Sequence, residues 1–226
     1  MTNKQQNKLL MRHFKLSIFF FGLLLFSCSH ADSKKTSVTE NQTPTTTDDK
    51  EQIQNLIRQM LNWSESKNSI NLLPVLTDSK DSSCVGFDFD KHKLNLDKLR
   101  KTNLFAEEFI ENYNQIILTL DKKIKNREFE KWNIYELPTF NFANDVDPWT
   151  LCQDVPYDNP NPYDLVEVIV IKSDNEKADL NWTWGKLELN SDKSWKKFTY
   201  KFRVVKENSN WEIAYLRGFD FKESTR

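Results

Sequence analysis

The sequence predicts an α+β protein: helices packed in the hollow of a curved antiparallel sheet of about four strands, cone-like, behind a signal peptide and a flexible tether. Three observations carry this. Two amphipathic helical periodicities come early, four strand-like runs come late, and a long proline-rich stretch divides them. Helices first and a strand meander last is an α+β pattern, and strands joined by short links pair antiparallel. Within the 226 residues, a 13% aromatic content with seven Trp excludes a disordered chain. Four Gly exclude collagen-like repeats. A net charge of −1 carries no basic excess, so no nucleic-acid partner is expected.

Residues 1–15 carry Lys4, Lys8, Arg12 and Lys15 and no acid. The apolar run Leu16 to Phe26 is too short to span a bilayer but suits the core of a signal peptide. Met11 opens a basic segment of its own and is an alternative start. The run ends Leu25-Phe26-Ser27-Cys28, which resembles the lipobox of bacterial lipoproteins. That resemblance implies cleavage after residue 27 and lipidation of Cys28, with a palmitate-type anchor. The expected location is the bacterial cell envelope, at the outer membrane, with the periplasmic or surface face left open. Residues 28–47 are Ser, Thr, Lys, Asn and Gln with little apolar content, a tether.

Residues 48–222 read as one α+β domain. Asp48 and Glu51 have capping-box spacing. Ile53, Leu56, Ile57, Met60 and Leu61 then form one stripe of a helix to Lys67. A short helix is expected over 95–101. A second long helix over 103–127 has acids in its first turn and lysines in its last, matching the helix dipole. Residues 133–164 hold five prolines and several Asp and Asn, a long irregular stretch of the kind often tied to function. Strands are expected over 165–172, 178–189, 195–206 and 211–219, with Asn- and Asp-rich turns between them.

Short helices in the hollow of a curved sheet resemble the nuclear-transport-factor-two-like (cystatin-like) cone. Residues 103–113, Asp147-Pro148-Trp149 through Cys152-Gln153-Asp154-Val155-Pro156, Asn181-Trp182-Thr183-Trp184-Gly185 and Gly218-Phe219-Asp220-Phe221 are similar to a family of uncharacterised Bacteroidetes lipoproteins. The resemblance implies the cone fold and an envelope setting. It implies no activity, because that fold hosts both enzymes and binding modules.

Candidate chemistry is sparse. Cys84 and Cys152 are an even pair in an oxidising compartment; a disulfide and two separate buried thiols are both open readings. His92, between Lys91 and Lys93, is expected to be exposed, and as the sole histidine of the domain it limits nucleophilic catalysis. Asp88, Asp90, Asn95 and Asp97 lack the glycine and final glutamate of a calcium loop and read as a solvated turn. The cluster Asn144, Asp145, Asp147, Asp154, Asp158 and Asp164 is also best read as turn residues. No metal and no cofactor are expected. Asp147, Asp154 and Arg217 are the weak catalytic candidates. Trp149, Gln153, Trp182, Trp184 and Tyr200 are the candidates for ligand binding, against the alternative of an aromatic core with its indole N–H groups satisfied. The expected function is a non-catalytic binding module whose partner is an envelope protein or a small ligand. The alternative is an envelope hydrolase or isomerase using a carboxylate in the hollow.

Overall fold

The structure, a computed structural model, describes residues 46–157 and 159–226. The signal peptide, Cys28, the tether up to residue 45 and Asp158 lie outside the described residues. Among the described residues no helix is long and apolar enough to cross a membrane.

Helix α1 (Thr47–Ser64) buries the predicted stripe Ile53, Leu56, Ile57, Met60 and Leu61. Its cap sits two residues earlier than the expected box: Thr46 Oγ1 accepts from Asp49 N at 3.1 Å and donates to Asp49 Oδ2 at 2.8 Å. A hairpin follows that the sequence pattern did not announce, β1 (Val75–Thr77) with β2 (Cys84–Phe87). Strands of three and four residues are too short to show a period.

Helix α2 (Phe89–Thr102) starts well before the expected 95 because Asp88 caps it, accepting from Lys91 N at 3.1 Å. The acidic turn expected here is therefore the N-cap and exposed face of a helix. Asn95 is buried and donates to Asn71 O at 2.7 Å. Helix α3 (Glu107–Lys125) buries Phe109, Tyr113, Ile116, Ile117 and Leu120.

The C-terminal half is a four-stranded antiparallel meander of order β3-β4-β5-β6. Its strands are β3 (Glu167–Ser173), β4 (Lys177–Thr183), β5 (Tyr200–Glu207) and β6 (Asn210–Leu216). The expected strand over 195–206 starts late, because Asp192 caps a short helix, α4 (Lys193–Lys197). The β5–β6 turn places Asn208 and Ser209 at φ 49° and 70°, the left-handed pair that suits a two-residue hairpin. Val168, Leu180, Trp182, Tyr200, Phe202, Val204, Ile213 and Leu216 point to the covered face. Lys177, Asp179, Lys201 and Arg203 point to the other. Bulges in the β3–β4 and β5–β6 ladders bend the sheet.

Helices α1 and α3 pack on the covered face, and α3 also carries β2. Both sheet edges are engaged. Ile213 N donates to Leu104 O and Ala106 N to Ile213 O, while Gln54 and Arg58 of α1 bond the start of β3. A last short helix, α5 (Phe221–Ser224), follows β6, and Arg226 O accepts from Asn141 N. Residues 41–226 form one contact unit that contains the whole described core, so this segment carries its own folding information.

Candidate functional site

The sheet's hollow is filled with aromatic side chains. Trp182 and Tyr200 are fully buried, and Trp149 and Trp184 are 3% and 5% exposed. Trp182 stacks on Tyr200 at 5.4 Å, and Trp149 meets Phe219 at 4.5 Å. Trp63 and Phe105 close on Trp149 from the helical side. Tyr200 Oη donates to Pro148 O at 2.8 Å and accepts from Gly218 N at 2.9 Å. Gly218 is needed there: a Cβ would lie 1.9 Å from Pro148 O. The motifs Asp147-Pro148-Trp149 and Gly218-Phe219 therefore lock the hollow shut. Four of the five aromatic and polar ligand candidates are core; Gln153 alone is exposed. Indole satisfaction is only partial. Trp132 donates to Glu136 O and Trp211 to Asp49 Oδ1, whereas Trp182 and Trp184 Nε1 are buried with no acceptor. Those two rings meet edge to face at 5.1 Å and 82°.

The Trp211 and Lys206 bonds to Asp49, with the Thr46 cap, pull that carboxyl down to about 2. Asp147 behaves in the opposite way. Burial pushes it up to about 6, with Glu65 adding repulsion, although Trp149 N donates to it at 3.2 Å. Such a carboxyl could serve as an acid or base. Its companions are elsewhere. Asp154 is exposed and accepts from its neighbour Val155 N, and Arg217 is exposed on the wall of a shallow cleft of about 400 Å³ that Asp147 does not line.

Among the described residues, Cys84 and Cys152 are free thiols. Cys84 Sγ contacts Gly86 O on β2, and Cys152 Sγ contacts Thr150 O in the loop. Burial raises both thiols, Cys152 to about 11, so both are protonated at neutral pH. His92 corrects the expectation of exposure. It lies on the inner side of α2 at 2% exposure, edge-on to Tyr113, with Nε2 3.0 Å from Asn114 Oδ1. Burial lowers its pKa. The flanking lysines made the segment look polar, but on a helix their neighbour points the other way. Among the described residues no group of three or more His, Cys, Asp or Glu is placed to hold a metal ion.

The cavity with an apolar floor lies where the unannounced hairpin meets the end of α3. Gly86, at φ 145°, brings β2 onto the helix, where a Cβ would come within 2.6 Å of Asp121 Oδ1. Asp121 accepts from Phe87 N at 2.9 Å and pairs with Lys125 at 2.8 Å. Beside this joint, residues 127–140 run irregularly and leave a cleft of about 580 Å³. Half-buried Cys84, Ile124 and Phe129 line its floor, backed by Trp132 and Phe140, which are 7% and 1% exposed. Trp132 and Phe140 pack at 5.5 Å, as do Phe129 and Phe140. Lys125, Arg127, Glu130 and Lys131 stand on its rim. A volume of this size with an apolar floor and a few polar groups suits a small ligand. The sequence contained the rim charges but no sign that a hairpin would bring them to one opening. A broader groove of about 880 Å³ between α1 and the β5–β6 turn is walled by solvated amides such as Gln52, Asn55 and Asn208.

Compared with known proteins, the chain matches no family model, and no curated protein or solved structure resembles it significantly.

Proposed function

We propose that this chain is a lipid-anchored protein of the bacterial cell envelope, of the Bacteroidetes lipoprotein type, whose domain binds a ligand without transforming it. One observation carries the binding assignment. The sheet's hollow is sealed by Trp149, Trp182 and Tyr200, while the cleft beside the hairpin stays open over half-buried Ile124 and Phe129. The rim chemistry suits holding a ligand. The thiol of Cys84 on the floor is protonated at neutral pH, and Glu130 is the one carboxylate among the lining residues. Cys28 would supply the membrane anchor through its lipid.

A melting-temperature screen of residues 41–226 against lipids, sugars and metabolites tests the binding reading, since a ligand of the folded state raises the midpoint. A dose-dependent shift that disappears in Val85→Arg, which places a long charged side chain over the cleft, supports it. Shifts that survive Val85→Arg, or none across the screen, overturn it. Labelling cells with a palmitate analogue tests the anchor: label on the wild type and none on Cys28→Ala is expected.

A further inference from the structure

We propose that the connection between β4 and β5, residues 184–199, docks the domain onto an anionic phospholipid surface. Leu189 enters the headgroup layer and the lysines around it meet lipid phosphates. The proposal rests on the lipid-anchor reading above and adds the face that the domain turns to the bilayer. Leu189 is 99% exposed, more than any other large apolar side chain among the described residues, so it packs on nothing in the fold. Lys186, Lys193, Lys196 and Lys197 are exposed around it, against the two acids Glu188 and Asp192. The segment therefore carries +2 in a chain of net charge −1. Asp192 is occupied as the cap of α4, accepting from Ser194 N at 2.7 Å. Glu167 stands at the root of the connection, beside Gly185. Lys186, Lys193 and Lys197 have no acidic partner among the described residues. The tip is held in place: half-buried Trp195 meets Trp184 edge to face at 6.0 Å, and Lys196 Nζ donates to Leu189 O.

The form of this surface selects a membrane over a protein. One leucine at a loop tip is far short of the roughly 800 Å² per side that a stable protein interface buries. Scattered lysine point charges suit a layer of phosphate headgroups, where each adds attraction without a fixed geometry. The chain length allows it. Helix α1 starts beside the far end of β5, where Asp49 bonds Lys206 and Trp211. The eight residues of β5 separate that end from the loop, a distance of about 26 Å. Residues 29–45 span up to about 60 Å, so one bilayer can hold both the lipid on Cys28 and the loop.

Co-sedimentation of residues 41–226 with vesicles tests the loop without the anchor, since that segment lacks Cys28. Vesicles of three parts phosphatidylcholine to one part phosphatidylglycerol are expected to carry the domain down, and pure phosphatidylcholine at least about tenfold less. Raising salt to about 1 M, where the Debye length is about 3 Å, should remove the difference. Lys193→Gln together with Lys197→Gln should weaken binding about fivefold per lysine. Leu189→Ser should weaken it about tenfold on its own. Both variants should keep the wild-type melting temperature, because the altered side chains are exposed. Equal binding to the two vesicle types, no binding to either, or binding unchanged in either variant overturns the proposal. A dimer in sedimentation velocity that Leu189→Ser abolishes also overturns it and assigns the loop to a second copy. The palmitate label and the Val85→Arg comparison report on the anchor and the cleft separately, so failure of the loop is distinguishable from failure of either.

Discussion

The hollow of the four-stranded sheet and the cleft beside the two-stranded hairpin are built from the same kind of residue and end in opposite states. In the hollow, aromatic side chains meet others from facing segments: Trp149 from the loop, Phe219 from the turn after β6, Phe105 from just before α3 and Phe109 from its first turns. The polar tip of Tyr200 is used internally. At the cleft, Phe140 packs on Phe87 of the hairpin and, like Trp132, is buried. The hairpin of three- and four-residue strands is too small to cover Phe129 and Ile124 as well, and they stay half-buried. Aromatic content alone therefore does not mark a ligand site; a concave surface with apolar side chains left half-covered is the better candidate.

The largest expected effect breaks the closure of the hollow. Gly218→Ala forces a Cβ against Pro148 O, a backbone atom that cannot move without displacing Trp149. Loss of more than about 4 kcal/mol is expected, seen as a collapsed urea midpoint.

Asp147 offers a pH test of the same region. Burial holds its carboxyl at about 6 in the fold, above the ordinary aspartate value of 3.8. The folded state thus binds the proton more tightly, so the stabilisation is complete below about pH 4 and lost as pH rises through 6. The change should be on the order of 3 kcal/mol between those limits. Asp147→Asn keeps an oxygen for Trp149 N and should flatten that profile, leaving the variant more stable than the wild type at pH 8. An unchanged profile would mean the carboxyl is solvated.

Tyr200→Phe is next. It strands Pro148 O and Gly218 N in a buried place, an expected loss of about 2 kcal/mol with no change in cleft binding. Smallest in stability are the cleft variants. Val85 is 46% exposed and Arg127 lies at the surface, so Val85→Arg and Arg127→Glu should stay within about 0.5 kcal/mol of wild type. Binding and stability would then separate: hollow variants change the midpoint and cleft variants the affinity. If Val85→Arg unfolded the domain instead, the hairpin would belong to the core and the contrast would fail.

The helices and the meander were legible because their signals are local. The stripe from Ile53 to Leu61 and the alternation around Phe202 repeat at the period of the element they form. Capping was readable in kind and misplaced in position at Thr46, because several Thr and Asp there compete for the same role. Helix α2 and His92 were misread because lysines on both sides of a residue hide the inward face of a helix. Trp182 was correctly placed on one side of its strand, yet whether that side opened to a ligand or closed into a core depended on Phe198 and Tyr200, which pack on it, and on the Pro148 carbonyl that Tyr200 bonds, more than thirty residues away.

By itself, then, the sequence determined the α+β class, the order of helices before strands, the stripe each long element buries and the basic-apolar-cysteine pattern of its first 28 residues. All of these rest on interactions between residues close in the chain. The tertiary structure alone decided that the hollow is shut, that Cys84 and Cys152 are free thiols, and that Arg127, Cys84 and Phe140 line one opening. Those outcomes depend on Gly86 and Gly218 letting distant backbones approach, and on a hairpin too short to leave a period. Contacts between segments far apart in sequence leave no local signal, and here they separate a packed core from an open cleft.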